Sequence, residues 1–286
     1  MKNILVTGGK GQLALCIRDL SIELKDSNFF FLDYDQLDIT NEEEVKRFFK
    51  TNKVDYCVNC AAYTAVDKAE SEKVMAKSVN ELGAKYLAQA CKVSNSVLIQ
   101  ISTDFVFDGE QSFPYKENDN SKPISVYGST KLDGELAISN TFENYFIIRT
   151  SWLYSEYGSN FVKTMLRLGE EKSKINVISD QVGTPTYAKD LASVIMKIIN
   201  NVNSMTFGTY HYSNEGVASW YDFAKTIFDE CNVGVDVFPI ETKYYPTPAK
   251  RPFYSVLGKE KIKKELTVDV PYWKDSLKKC LIALKD

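Results

Sequence analysis

The chain has 286 residues, of which 44% are hydrophobic, so it is long enough to bury the core of one large α/β unit or of two small domains. Its formal net charge is −3 with acidic and basic residues mixed throughout, which gives no electrostatic reason to expect a nucleic-acid partner. No apolar run approaches the ~20 residues of a membrane span, and the N-terminus lacks a signal-peptide pattern, so we expect a cytoplasmic protein without a membrane partner.

Short apolar runs alternate with helical stretches through the first 150 residues. The pattern Thr40-x-x-Glu43 resembles a capping box and predicts a helix that continues through Phe49. Strands alternating with helices indicate parallel pairing, with helices on both faces of a Rossmann-type, doubly wound α/β sheet. The other predicted elements are strands at 4–6, 29–32, 56–58, 97–101 and 145–148, and helices at 12–24, 80–93 and 126–138.

Beyond residue 150 the alternation loosens, and loops rich in Pro, Gly and Tyr separate the helical patterns. Such loops are where an α/β enzyme builds a substrate pocket. We therefore expect a dinucleotide-binding domain at 1–150 and a mainly substrate-binding, smaller domain at 151–286, with segments near 175–213 returning to the first. The predicted helices of this half lie at 161–168, 191–199, 220–231 and 273–284.

The histidine and cysteine residues narrow the possible chemistry. His211 is the only histidine, so a zinc site built on several histidines is excluded, and its strand-like surroundings favour a structural role. The six cysteines are widely spread, which favours reduced thiols. Cys57 and Cys60 form a C-x-x-C pair inside a strand-like run, where residues three apart point to opposite faces, so we interpret them as structural.

A glycine-rich turn follows the first strand directly and leads into the first helix. Gly8, Gly11 and Ala14 have the spacing G-x-x-G-x-x-A. Glycines allow the backbone to approach a pyrophosphate, and the helix N-terminus offers free N–H groups and a partial positive charge. The turn therefore predicts a nicotinamide dinucleotide site. Asp33 ends the next strand, where it is either a ribose ligand that weakly favours NADH over NADPH or a solvated turn residue.

Three residues form a candidate catalytic group. Tyr127 and Lys131 are four apart in a predicted helix and so share a face, and Thr103 ends the fourth strand, at the edge that the glycine turn addresses. A nearby ammonium and a positive nicotinamide ring are expected to lower the pKa of the Tyr127 phenol, which is ~10 when free. Lys131 can also hold the nicotinamide ribose, and Thr103 can donate a hydrogen bond to a substrate carbonyl oxygen.

Together these features resemble the extended short-chain dehydrogenases/reductases. Further motifs narrow the resemblance to the dTDP-4-dehydrorhamnose reductase family, and they cover nearly the whole chain. They lie at residues 11–13, 37–40, 59–70, 102–109, 149–154, 160–166, 180–186 and 250–252, with Ser255.

The resemblance implies catalytic roles for Thr103, Tyr127 and Lys131 and binding roles for further residues. Arg251 beside an anionic diphosphate is physically sensible, although a surface arginine is an equally good interpretation. The implied cofactor contacts are Gly8, Gly11, Gln12, Leu13, Asp33, Asp38, Ile39, Ala61, Ala62, Thr64, Tyr127 and Lys131. The implied substrate contacts are Val66, Thr103, Asp104, Phe105 and Trp152 for the sugar, and Asn160 and Arg251 for the nucleotide or diphosphate.

The activity that the resemblance implies is reduction of the C4 ketone of dTDP-4-dehydro-6-deoxy-L-mannose by NADH or NADPH, giving dTDP-L-rhamnose for surface polysaccharide. The alternatives are a reductase of another 4-keto nucleotide sugar and a non-catalytic, NADP-binding regulatory subunit. Some family members carry a glutamate, used in a metal-bridged dimer, at the position of Cys16. We therefore expect no metal, and either a monomer or a weak homodimer.

Overall fold

A computed structural model describes residues 1–202 and 205–285. The strands are β1 Lys2–Thr7, β2 Ser27–Leu32, β3 Tyr56–Asn59, β4 Val97–Thr103, β5 Tyr145–Thr150, β6 Leu153–Tyr154, β7 Lys174–Ile178, β8 Val182–Gly183, β9 Thr186–Tyr187, β10 Gly208–His211, β11 Ala218–Ser219 and β12 Asp236–Ile240. The helices are α1 Gln12–Ser21, α2 Glu42–Thr51, α3 Val66–Ala69, α4 Lys73–Lys77, α5 Ala84–Ser94, α6 Val126–Ser139, α7 Phe161–Glu171, α8 Ala188–Asn201, α9 Trp220–Cys231, α10 Glu260–Leu266 and α11 Trp273–Ala283.

A six-stranded sheet in the order β10-β5-β4-β3-β1-β2 forms the centre of the molecule, and its neighbouring strands are all parallel. The central strands are apolar along their length because both faces are covered by helices. In β1, Ile4 and Val6 contribute to the core on the side of α1 and α8, whereas Leu5 contributes to the core on the side of α2 and α5. The predicted Rossmann-type α/β fold is confirmed.

Two predicted helix starts are wrong. Asn41, not Thr40, caps α2, because its side chain accepts from the Glu44 backbone N–H (3.2 Å) while the Thr40 hydroxyl donates to Asp38 (2.7 Å). The helix expected from Asn80 begins earlier, at Lys73, and runs through a π-helical segment at Ser78–Gly83 into α5. Such segments carry no propensity signal and are often found near functional sites.

The chain beyond residue 150 contributes to two layers. β10 and α8 join the sheet layer, where α8 packs on α1. β7, near the start of the range 175–213, instead pairs with β12 in a separate two-stranded sheet. α7, α9 and α11 surround a second core that includes Phe223, Phe228 and Trp273. Among the described residues, no helix combines the length and apolar character that a membrane span requires.

Candidate active site

The glycine turn has the geometry that a dinucleotide site requires. Gly8 has a φ of +63°, and a Cβ there would lie 2.8 Å from the Ala61 backbone, so only glycine fits. Gly11 donates its N–H to the Gly8 carbonyl oxygen (2.8 Å) and occupies the N-cap of α1, where no side chain caps the helix and no acidic residue lies in the first turn. The N–H groups and the positive end of α1 are therefore available to an anionic pyrophosphate.

Two cavities lie along the carboxyl ends of the parallel strands. Gly11 and Ala62 line both of them, so the cavities meet at the glycine turn. The smaller, about 260 Å³, is lined by the predicted cofactor residues Gly8, Gly11, Asp33, Asp38, Ile39, Ala61 and Ala62. The larger, about 620 Å³, which we call the main cavity, is lined by Gly11, Gln12, Leu13, Ala62, Thr64, Val66, Thr103, Asp104, Phe105, Tyr127, Lys131, Trp152 and Arg251.

The predicted catalytic residues lie together in the main cavity. Thr103 ends β4, and Tyr127 and Lys131 lie on one face of the first two turns of α6. Ser125 caps α6 by accepting from the Gly128 backbone N–H (3.2 Å). Gly128 permits close packing of the helix, because a Cβ there would lie 2.2 Å from the Phe105 carbonyl oxygen. The helix that carries the tyrosine is therefore fixed against the end of β4.

The protonation expected for Tyr127 differs from the sequence-based prediction. Burial, with a smaller contribution from the Asp104 charge, raises the pKa of Tyr127 to about 12, although the hydrogen bond with Thr103 opposes the change. Lys131 instead donates to the Ile101 carbonyl oxygen (2.6 Å), and burial lowers the pKa of its ammonium to about 8 although Glu135 and Cys60 oppose the change. The expected lowering of the Tyr127 pKa is thus wrong for the protein's own groups, and Tyr127 is fully protonated at neutral pH.

Asp104 is the carboxylate closest in sequence to this group. It is buried, and Thr103 Oγ1 donates to its Oδ1 (3.0 Å). Burial raises the pKa of Asp104 to about 6, although the nearby Ser255 and Thr103 hydroxyl groups favour its charged form. Its Oδ2 is buried and has no hydrogen-bond partner in the part of the chain that the structure describes. A buried acceptor left unpaired beside a cavity suits a ligand hydroxyl group.

Two predicted substrate residues have other partners in the structure. Asn160 lines neither cavity, because it caps α7: its Oδ1 accepts from the Lys163 N–H (3.2 Å) and its amide donates to the Ser155 carbonyl oxygen (2.7 Å). Arg251 does line the main cavity, but its Nη1 and Nη2 bind both carboxylate oxygens of Asp67 (3.0 and 2.7 Å). A diphosphate there would share this guanidinium with Asp67.

Of the four remaining residues singled out, His211, Cys16, Cys57 and Cys60, only Cys60 lines the two cavities. His211 is buried in β10, and burial with the nearby Arg149 charge lowers its pKa to about 3, so it stays neutral. Cys57 is buried in β3 and Cys60 follows that strand, and both are free thiols. Cys16 is buried in α1, where desolvation raises its pKa to about 12. Among residues 1–202 and 205–285, no three acidic, cysteine or histidine side chains cluster as metal ligands would.

A third cavity, which the sequence did not predict, adjoins the main one. Its volume is about 420 Å³, and Trp220 and Arg251 line both cavities and so form their boundary. We call it the C-terminal cavity, because aromatic and amide side chains of the second half surround it. These include Phe161, Trp220, Tyr245, Asn176 and Gln181. The only sequence signal for this site was the aromatic content of the loops beyond residue 150.

The comparisons with known proteins agree with this geometry. The family model described as the RmlD substrate binding domain matches residues 1–285. A dTDP-4-dehydrorhamnose reductase of Aggregatibacter actinomycetemcomitans is 41% identical over 97% of this chain and 98% of its own. The chain belongs to the dTDP-4-dehydrorhamnose reductase family. The predicted family is therefore confirmed.

Solved structures of family members superpose along the whole chain. The dTDP-4-dehydrorhamnose reductase of Clostridium acetobutylicum is 43% identical with a TM-score of 0.95, and the alignment covers 99% of this chain and 100% of that one. A second, from Bacillus anthracis and solved in complex with NADP, is 40% identical with a TM-score of 0.94 over the same shares of the two chains. The fold described above is therefore that of a reductase family, one member of which was solved in complex with NADP.

Proposed function

We propose that this protein reduces the C4 ketone of dTDP-4-dehydro-6-deoxy-L-mannose with NADH or NADPH and releases dTDP-L-rhamnose for surface polysaccharide. The observation that carries the proposal is one continuous cavity: it begins at the glycine turn, contains Thr103, Tyr127 and Lys131, and ends at Trp152 and Arg251. A dinucleotide site at one end and a sugar-nucleotide site at the other would meet at the tyrosine.

The residues present fit a nicotinamide dinucleotide. Any Cβ at position 8 would fill the space between the glycine turn and the Ala61 backbone, and the α1 N-terminus, which no side chain caps, suits the pyrophosphate. Asp38 and Ile39 border the smaller cavity, which we assign to the adenosine half. When bound, the reduced nicotinamide supplies the hydride. Lys131 would hold the nicotinamide ribose from the floor of the main cavity, since burial and the Ile101 carbonyl bond fix its ammonium there.

Tyr127 supplies the proton that the reduced carbonyl oxygen needs. A phenol whose pKa is raised to about 12 is fully loaded with its proton at neutral pH. That is the state a reductase requires at the start of each turnover, because charge develops on the carbonyl oxygen as the hydride arrives. The neighbouring Lys131 ammonium then favours the tyrosinate that forms.

Thr103 and Asp104 act on the sugar side. The Thr103 hydroxyl has one proton, and in this structure it donates that proton in a hydrogen bond to Asp104. Thr103 polarises the ketone by turning that proton from Asp104 to the substrate oxygen. Asp104, with its unpaired Oδ2, then accepts a sugar hydroxyl. Val66, Phe105 and Trp152 form the apolar part of the sugar site, which suits the methyl group of a 6-deoxy hexose.

The nucleotide would extend into the C-terminal cavity. Its aromatic side chains Phe161 and Tyr245 can stack on a base, and Gln181 can hydrogen-bond to its edge. Arg251 lies at the boundary with the main cavity, where the diphosphate would pass. We place the dinucleotide-binding domain at 1–150 and the mainly substrate-binding domain at 151–286.

The proposed partners are a nucleotide sugar and the dinucleotide, in a cytoplasmic monomer or weak homodimer. The six free cysteines suit a reducing compartment.

The test is oxidation of NADH and of NADPH by the purified protein with the dTDP-linked 4-keto sugar, followed by identification of the sugar product. We expect turnover and a product with L-rhamnose configuration. A folded protein that turns over with neither cofactor would contradict the proposal, and an epimeric alcohol would assign it to another 4-keto sugar reduction.

A further inference from the structure

Trp152 has an unusual backbone conformation for a bulky residue. It lies between β5 and β6 with a φ of +47°, in the left-handed region that L-residues other than asparagine and aspartate seldom adopt. Its carbonyl oxygen accepts from the Thr186 N–H (3.1 Å), and its side chain lines the main cavity. A strained residue of this kind persists only where its surroundings hold it in place, and such residues cluster at ligand sites.

The indole of Trp220 lies directly against that of Trp152. Their ring centroids are 3.5 Å apart and their planes differ by 7°, so the two rings are stacked face to face. Since Trp220 also lines the main and C-terminal cavities, the stacked pair forms part of the wall between them.

Trp220 is itself held from several sides. It is the first residue of α9 and lies between Ser219 and Asp222, which form a complete capping box. Its Nε1 donates to Gln181 Oε1 (3.2 Å), and Phe161 packs on it with a centroid distance of 4.7 Å. These contacts fix the indole before any ligand arrives.

Gly183 confines the Trp152 ring as well. A Cβ at this position would lie 2.8 Å from Cε2 and Nε1 of Trp152, so the indole approaches the backbone of β8 as closely as a glycine allows. Trp152 is therefore held between the Trp220 ring and the backbone at Gly183, although its own backbone conformation is unfavourable.

We propose that Trp220 is a positioning residue for substrate recognition, holding Trp152 in the left-handed conformation in which its indole meets the sugar. This inference rests on the proposed function, because it takes the ligand of the main cavity to be the hexose of a nucleotide sugar. Trp220 then sets sugar affinity through Trp152, and it does not act on the transferred hydride or proton.

The test compares Trp220→Leu, which removes the stacked ring, with Trp220→Phe, which keeps an aromatic face against Trp152. Trp273→Phe is the matched control, because Trp273 is the third tryptophan, is buried in the second core and lines neither cavity. Three quantities are measured: the indole exciton couplet in circular dichroism, KM and kcat with the keto sugar, and the dissociation constants of dTDP and of dTDP-L-rhamnose.

We expect Trp220→Leu to abolish the couplet and to raise KM for the keto sugar about tenfold, the equivalent of one good aromatic contact, with a smaller change in kcat. Binding of dTDP-L-rhamnose should weaken by a similar factor and binding of dTDP much less. Trp220→Phe should restore most of the sugar affinity, and Trp273→Phe should keep the couplet. A doubly substituted Trp152→Leu, Trp220→Leu protein should bind the sugar no more weakly than Trp152→Leu alone.

Unchanged sugar affinity in folded Trp220→Leu would overturn the inference, as would an equal loss of dTDP affinity, which would place Trp220 in direct contact with the base. If Trp220→Leu does not fold, Gly183→Ala displaces Trp152 from the other side and should alter the couplet and KM together. A change in only one of them refutes the coupling. Failure of the wild-type protein to bind either nucleotide would refute the proposed function instead. Persistence of the couplet in ligand-free Trp220→Phe would show that the two indoles are not stacked in solution.

Discussion

The charge of Lys131 depends on a carboxylate one helical turn away, and replacing Glu135 by glutamine tests this dependence. Glu135 is buried on α6, where it accepts from Ser102 on β4 and forms an ion pair with Arg149 Nη2 (2.6 Å). Burial lowers the pKa of Lys131 to about 8, and Glu135 is the largest influence that opposes this change. Glutamine keeps the volume of Glu135 and removes its charge.

The size of the effect follows from the geometry. Residues four apart on a helix lie about 6 Å apart at Cβ, and a unit charge at that range is worth about 3 kcal/mol at an effective dielectric constant near 20. Because Arg149 partly neutralises Glu135, we expect the substitution to lower the Lys131 pKa by about one unit. At a pH of about 8 the charged fraction of Lys131 then falls from about a half to about a tenth. Below a pH of about 6, Lys131 stays charged in both proteins.

The assay is the dissociation constant of NADPH or NADH for the free protein, measured across this pH range. Glu135→Gln should bind the cofactor up to about fivefold more weakly at a pH near 8 and equally well near 6, in proportion to the charged fraction. Ser102→Ala is the control, since it removes a hydrogen bond to Glu135 without changing any charge. Glu135→Gln should also lower the free energy of unfolding by about 2–4 kcal/mol, because Arg149 loses its buried charged partner. An affinity ratio that is the same at both pH values would refute the electrostatic reasoning.

Three further predictions concern the proton donor Tyr127 and two residues of the glycine-rich turn. Tyr127→Phe should lower kcat at least 10²-fold, a typical contribution of a positioned proton donor, while calorimetry shows cofactor binding retained; residual turnover near the wild-type rate would remove Tyr127 from its role. Gly8→Ala should lose measurable cofactor binding, since the φ of +63° and the 2.8 Å approach to Ala61 both oppose a side chain; normal affinity would contradict the cradle. Lys10 lies 3.6 Å from Asp33, so Lys10→Ala should weaken NADPH binding more than NADH binding, by about threefold, and an equal loss of both would show that Lys10 does not affect the 2′-position.

The sequence predicted the parts of the site that depend on local pattern. A strand, a glycine turn and a helix follow one another within a few residues, and parallel pairing brings the end of β4 to the same edge. Thr103, Tyr127 and Lys131 could therefore be located without a structure. The pKa of Tyr127 could not, because it depends on how much of the ring is buried and on the Asp104 charge beside it.

The contacts that the sequence did not reveal join residues far apart in the chain. Arg251 and Asp67 are 184 positions apart, and nothing in either segment indicates that the arginine is already paired. Trp152 lies between β5 and β6 whereas Trp220 begins α9, and their stacking depends on how the second half folds. Asn160 shows the converse: its motif indicated a ligand contact, whereas its position before α7 made it a helix cap.

The residues of the site fall into two groups that differ in the elements that carry them. The proton donor and the lysine lie on a long helix fixed against a buried strand, so their geometry changes little unless the sheet layer itself changes. In the proposed function, the side chains that recognise the sugar and nucleotide lie mostly on loops and short elements, which tertiary contacts such as the tryptophan stack hold in place. Substitutions in the first group should therefore act on the chemical step and those in the second on substrate affinity. The ion pair between Asp67 on α3 and Arg251 joins the two parts of the site, since α3 borders the proposed sugar site and Arg251 borders both the main and the C-terminal cavity. A diphosphate that competes with Asp67 for the guanidinium would therefore change this ion pair as it binds.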